Sequence, residues 1–309
     1  MGGSRRRFFD RETKPEDVLK AIRAEEEKAK DQAFDTEVSE TLGDLLADYN
    51  ARDTEAVSAA LQRVKSALES EIEGTVAPIF GGSVRKHTYV DGLSDVDALV
   101  ILKDAELSRL TPQQVLDYFE QKLRTALSNW KVSRGQLAVT VAQEDLQLQL
   151  LPAVREDQGL RIASAKGDSW SKINPQPFFD HLTRVNDRGG GKVIPTIKLV
   201  KVINETLSEA TRLTGYHIES LAIEAFRDYG GPKNSKAMLV HFFDTSRTRV
   251  LNPIKDKTGQ SVYVDEYLGP ANSQARKMAA EALDRVLRRM KNADASRSKP
   301  QWLQILGEE

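Results

Sequence analysis

The sequence predicts an α+β fold, a mixed sheet with attendant helices followed by a second, helical lobe. Three observations carry this. Short apolar or alternating segments cluster between positions 76 and 151. From about Pro175 onward, apolar residues recur instead every three or four positions, as on a helix face. Strands segregated from helices along the chain are the pattern of an α+β architecture rather than of alternating βαβ units. The expected division is a charged N-terminal helical arm over 1–52, a strand-bearing core over 53–180, and a helical lobe with a C-terminal tail over 181–309.

In chain order, residues 1–33 are highly charged, and Lys14–Gln32 reads as a helix or an arm. Thr54–Glu73 is a stronger helix, because Val57, Leu61, Val64, Leu68 and Ile72 share one face and Asp53 or Thr54 can cap its start. Val76–Phe80 is short and apolar. Gly81-Gly82-Ser83 follows, then a polar segment to Asp91-Gly92. Asp95–Leu102 reads as a strand, two acids leading into β-branched and apolar residues. Thr111–Asn129 reads as a helix with Val115, Phe119, Leu123 and Leu127 on one face. Gln136–Val141 and Asp145–Leu151 read as strands, and the second alternates Leu146, Leu148 and Leu150 with Asp145, Gln147 and Gln149. Val193–Asn204, Tyr216–Asp228, Lys233–Phe243 and Ala271–Lys291 read as helices, with Asn252–Gly269 as an irregular loop between the last two.

The chain has 309 residues, 39% hydrophobic and 29% charged, which suits a globular protein of one large or two ordinary domains. No apolar run approaches the roughly 20 residues that span a bilayer. Arg5–Arg7 are followed by no apolar run, so no signal peptide is expected. There are no cysteines, which excludes disulfides and thiolate metal sites and makes the cytoplasm the expected location. A net charge of −1 argues against constitutive nucleic-acid binding over the whole surface.

One constellation carries chemistry. Asp95 and Asp97, two apart on a strand, share a face and offer hard oxygen ligands suited to Mg²⁺ or Mn²⁺. Upstream, Gly81, Gly82 and Ser83 form a loop whose backbone can approach a phosphate closely and whose serine adds a donor. A lone Gly-Gly-Ser is usually a turn, and a lone Asp-x-Asp usually a solvated strand end. Together they supply both halves of a phosphoryl-transfer site: a cradle for the phosphates and ligands for the metals that neutralise them.

GGSVRKHTYVDGLSDVDALVIL resembles the signature of the DNA polymerase β-like nucleotidyltransferase superfamily, and within it the bacterial CD-NTases (cGAS/DncV-like) of anti-phage defence. The likeness continues through AVTV and LLPAV at 138–154, Trp170, Asn174-Pro175, the lysine-bearing segment Ile197–Lys201 and Tyr216–Glu219, covering roughly 55–290. It implies a polymerase β-like palm with a helical lobe and a substrate between them. It further implies that Asp95 and Asp97 hold two Mg²⁺ or Mn²⁺ ions, and that Gly81, Gly82 and Ser83 hold a nucleoside triphosphate. Lys198 and Lys201, three apart on one helix face, would reach triphosphate oxygens, and Tyr216 would stack on a base.

The implied activity is metal-dependent joining or cyclisation of nucleoside triphosphates into a short oligonucleotide signal, with release of pyrophosphate. A separate effector protein, membrane-associated in some arrangements, would read it; direct effector contact or a homo-oligomer is also compatible. Two other readings stand beside this one: a toxin of the same superfamily modifying a tRNA or protein, and a catalytically degraded nucleotide-sensing module.

The sequence departs from the family at one catalytic position. Gln149 stands where the family has a third aspartate, and an amide coordinates through oxygen but brings no charge and no base. Asp145 on the same strand face could replace it, but lies about 13 Å away along an extended strand. Alternatively two carboxylates suffice, or the site is slow. We take the second.

The four histidines, His87, His181, His217 and His241, match no zinc spacing, though His87 adjoins the phosphate loop. Arg184, Arg188 and Gly189–Gly191 form a basic glycine-rich turn, a lid or a helix connection. Trp302, Leu303, Ile305 and Leu306 form an apolar patch expected to pack back on the body.

Overall fold

The computed structural model describes residues 15–51, 54–71, 76–79, 96–102, 106–143, 146–156, 159–164, 167–174, 176–258 and 262–308. Its elements are α1 (Pro15–Ala51), α2 (Thr54–Glu71), β1 (Val76–Ile79), β2 (Val96–Leu102), α3 (Pro112–Ala126), β3 (Lys131–Arg134), β4 (Val139–Gln143), β5 (Leu146–Glu156), β6 (Gly159–Ala163) and β7 (Trp170–Ile173). The helices α4 (Gln176–Arg188), α5 (Val193–Glu205), α6 (Gly215–Phe226), α7 (Ser235–Arg249), α8 (Gln274–Ala295) and α9 (Lys299–Leu306) follow. The expected α+β class with a helical second lobe is what the chain adopts.

The sheet runs β1-β2-β5-β4-β3, and β6 and β7 continue from the far end of β5. Among the described residues only β2 and β5 pair in parallel, and that pairing needs the crossover through α3, β3 and β4. One face of the sheet packs on α2 and α3. Val100 and Leu102 of β2, Val139 and Val141 of β4, and Leu148 and Leu150 of β5 meet Val64, Leu68, Val115, Phe119 and Leu123 there. The strict alternation of β5 creates this: Leu148 and Leu150 are fully buried, each worth about 2–3 kcal/mol of apolar burial. The opposite face carries a smaller apolar cluster, Leu99, Ala153, Ile162 and Ile173. Pro152 falls between the β5 residues that pair with β4 and those that pair with β6, where a missing N–H is tolerated.

Helix starts follow local chemistry. Thr111 caps α3 in a reciprocal capping box with Gln114, with proline at the first turn. Thr214, Asn234, Ser273 and Ser298 cap α6, α7, α8 and α9 through their side-chain oxygens. α5 is buried nearly all round and forms the centre of the helical lobe.

Four readings from the sequence change in extent. The N-terminal helix does not stop near Gln32: Phe34, Val38, Leu42 and Leu46, four apart, continue it to Ala51 and bury its second half in the helical-lobe core. Its first half leaves Leu19 and Ile22 exposed. β3, β6 and β7 are additional strands. The α7 helix extends to Arg249, and the C-terminal apolar patch forms α9, burying Trp302, Ile305 and Leu306. The basic glycine-rich turn is the connection from α4 to α5, with Gly190 and Gly191 at positive φ, the left-handed region glycine adopts without a Cβ clash.

Candidate active site

The site begins at the junction of β2 and β5. Gly81, Gly82, Ser83, His87 and Asp95 lie outside the described residues, as does Asp145. Asp97 is the second residue of β2, and its register partner on β5 is Gln149, which on its other side pairs with Thr140 of β4. Positions 97, 149 and 140 therefore form one row across three strands. By strand alternation this row lies on the face opposite Leu148 and Leu150, away from α2 and α3. Gln149 is half-buried there. The residue types at these paired positions, an amide and a carboxylate, are hard oxygen donors of the kind a divalent cation takes, with one negative charge fewer than two carboxylates would give. Among the described residues no cluster of three or more His, Cys, Asp or Glu residues could hold a metal.

The second set of site residues lies in the helical lobe. Lys198 on α5 is half-buried, and burial, then the charge of Lys201, lowers its pKa. Lys201, one turn on, is buried, and its Nζ lies 3.0 Å from Oε1 of Glu219 on α6, which is itself 1% exposed. Opposite charges at that separation away from water form a strong, costly pair whose members depend on each other. Glu219 is a residue that the sequence reading left without a role. Its position among the apolar residues Ile218, Leu221, Ala222 and Ile223 of α6 was the available signal.

Tyr216, at the first turn of α6, lies 4.8 Å from Phe178 in a tilted ring contact of 53°. Its hydroxyl donates to Asp256 at 2.8 Å. Burial, and then the Asp256 carboxylate, raise the phenol's pKa. Asp256 also accepts from the backbone N–H and hydroxyl of Thr258, at 2.7 and 2.8 Å. Tyr216 thus ties the 252–269 loop to α6.

The next residue, His217, is fully buried. Its Nδ1 lies 2.8 Å from the Tyr267 hydroxyl and its Nε2 3.5 Å from Asp265 Oδ2. Burial pushes the imidazole pKa down to about 4, against the opposing pull of Asp265. Asp265 in turn accepts from Arg276 at 2.7 Å and from the Ile254 N–H at 3.0 Å. His217, Asp265 and Arg276 are therefore fixtures of this loop, and His241 donates from Nε2 to the Ala225 carbonyl at 2.9 Å.

Comparison with known proteins agrees with this arrangement. Residues 37–186 match the family described as SMODS, the Second Messenger Oligonucleotide or Dinucleotide Synthetase domain. The fold is that of a polymerase β-like nucleotidyltransferase, and the matched stretch, 150 of the chain's 309 residues, includes the strands of the sheet. The structure of CdnC from E. coli MS115-1 with ATP aligns at a TM-score of 0.58 and 16% identity, over 85% of this chain and 92% of that one. The DncV cyclic AMP-GMP synthase of Vibrio cholerae, with the linear intermediate 5′ pppA(3′,5′)pG, aligns at 0.60 and 11%, over 96% and 90%. CdnC from the same E. coli strain in complex with HORMA-deltaN aligns at 0.56 and 16%, over 85% and 91%. No curated protein matches the sequence. Among the described residues no helix is long and apolar enough to cross a membrane.

Proposed function

We propose that this nucleotidyltransferase joins nucleoside triphosphates into a short cyclic or linear oligonucleotide signal for anti-phage defence, in the cytoplasm, releasing pyrophosphate. The observation that carries the reading is the row of Asp97 and Gln149 on the sheet face away from α2 and α3. The working division is a catalytic core over 53–180 and a helical lobe over 181–309, to which the buried half of α1 adds.

Asp95 and Asp97 would hold two Mg²⁺ or Mn²⁺ ions, with the Gln149 amide oxygen as a neutral neighbour. Such ions, when bound, neutralise triphosphate charge and favour the ionised acceptor hydroxyl. Gly81, Gly82 and Ser83 bind the triphosphate through N–H and O–H donors, and Lys198 contributes a cation. A 3′- or 2′-hydroxyl oxygen bonds to the α-phosphorus as the bond to the bridging oxygen of pyrophosphate breaks, in line, and the hydroxyl proton leaves to solvent. Gln149 takes no proton, so the chain's own contribution is positioning and charge. The Phe178–Tyr216 pair offers an aromatic surface for a base. A separate effector would read the product. A HORMA-type regulator, as seated on CdnC, is a second class of partner compatible with this chain.

The test is incubation with the eight α-labelled ribo- and deoxyribonucleoside triphosphates, with Mg²⁺ and with Mn²⁺. Products are resolved by size beside an Asp95→Ala, Asp97→Ala double variant. The expected result is a small, metal-dependent product absent from the variant. Label transferred to a macromolecule, or no product under any condition, overturns the proposal.

A further inference from the structure

Beyond the nucleotide cleft, the helical lobe carries a cationic cluster where α4, the end of α6 and the 252–269 loop meet. His181 and Arg184 lie on α4, Arg227 just after α6, and Lys257 on the loop. Lys257 Nζ approaches His181 Nδ1 to 2.6 Å. An ammonium can only donate, so Nδ1 accepts and the imidazole proton sits on Nε2. Burial, then Lys257, Arg184 and Arg227 in that order, lower the His181 pKa, and only Glu224 opposes them. The Lys257 pKa is likewise lowered, by burial first and by Arg227 and Arg184.

That single carboxylate is already engaged: Glu224 pairs closely with Arg227 and lies 3.7 Å from Arg249. Among the described residues neither Arg184 nor Lys257 makes an ion pair; Arg184 donates instead to the Asp180 carbonyl at 3.2 Å. Two exposed cations and an imidazole thus converge, and the carboxylate that acts on the imidazole already has two arginine partners. Repulsion held in a folded protein without a compensating anion costs stability, and a phosphate accepting from all three would relieve it.

The cluster also has a shaped neighbour. Phe178, Tyr216, Glu224, Lys255 and Lys257 line one small cleft between α4 and α6. Tyr216 and Arg227 stand eleven positions apart on and just past α6, about 16 Å at the helical rise.

We propose that His181, Arg184 and Lys257 form a second anion site, taking a phosphate of a nucleotide or short oligonucleotide, distinct from the triphosphate loop at 81–83. It goes beyond the activity proposed above and can stand without it.

The test uses the full chain carrying Asp97→Ala, in excess EDTA, so that metal-held triphosphate makes no contribution. Inorganic phosphate, ATP and the 5′-phosphorylated dinucleotide pApA are titrated by calorimetry, while the ¹⁵N-imidazole signals are followed by NMR. The expected result is one equivalent bound with the His181 signal shifting and its pKa rising. Arg184→Gln with Lys257→Gln should weaken binding at least tenfold, with Lys257→Arg restoring most of it. These side chains are exposed, and a thermal midpoint no lower than that of the parent chain confirms that the variants fold. Tighter binding of pApA than of phosphate identifies an oligonucleotide as the source of the anion; equal binding identifies free phosphate. Absence of binding at millimolar probe, or binding that the double substitution leaves unchanged, overturns the site. Turnover by the unsubstituted chain is measured separately, so that failure of the enzymatic reading and failure of this site are told apart.

Discussion

Glu219→Ala is the substitution with the largest consequence that the structure lets us work out. It removes the carboxylate 3.0 Å from Lys201 and leaves that ammonium, on a side chain only 8% exposed, without its Glu219 partner. Breaking one partner of a buried pair costs about 3–5 kcal/mol, because the remaining charge stays desolvated without compensation. At about 2–4 °C per kcal/mol for chains of comparable size, the thermal midpoint should fall by roughly 6–20 °C. Replacing both partners, Lys201→Met with Glu219→Leu, should recover most of that loss, since no unpaired charge remains. The assay is a double-mutant cycle by denaturant unfolding. Near-additive losses, or a Glu219→Ala cost below about 1 kcal/mol, would refute the reasoning. The Met/Leu pair also separates two roles of Lys201: stability restored with turnover lost would assign the lysine to substrate as well as to packing.

Leu148→Ala, at a fully buried position between the sheet and α2 and α3, should cost about 2–5 kcal/mol in chemical denaturation. Tyr216→Phe loses the 2.8 Å bond to Asp256, keeps the ring on Phe178, and should cost about 0.5–1.5 kcal/mol while leaving nucleotide affinity within a few-fold; a large loss of affinity would give the hydroxyl a direct role. His217 has a folded pKa near 4 against 6.5 for the free group, so the fold binds fewer protons there than the unfolded chain does. Its contribution is complete above pH 6.5 and is lost as pH falls through about 4, on the order of 3 kcal/mol in all. His217→Gln should flatten that part of the stability–pH curve. Gln149→Asp adds a carboxylate beside Asp97 in the sheet register, and should tighten divalent-metal affinity and raise turnover; unchanged Mn²⁺ affinity would show that position 149 lies outside the metal's reach.

How far the sequence could be read follows from where its signal lives. The strict alternation of β5 and the apolar faces of α2 and α3 are local patterns, and the sheet face that packs on those helices was visible in them. β3, β6 and β7 were not. Each is only four or five residues long and gains its stability from neighbours contributed by distant positions, such as Arg161 against Lys172. α1 misled in extent because its charged first half hides an apolar stripe that starts only at Phe34. At the site, Asp97 and Gln149 were legible as types, but their meeting across a parallel pair is a register fact. The Lys201–Glu219 pair spans two helices and 18 positions, so lysine spacing on a single helix suggested a surface-facing reach where the fold has a buried partner.

The most direct test of the central claim is pyrophosphate release from nucleoside triphosphate, measured with Mg²⁺, with Mn²⁺ and with EDTA. The unsubstituted chain and Asp97→Ala should be purified side by side. Release that needs the metal, accompanies formation of a phosphodiester product and falls by about a thousandfold in the variant is the predicted result. Release that persists in Asp97→Ala or in EDTA would contradict it.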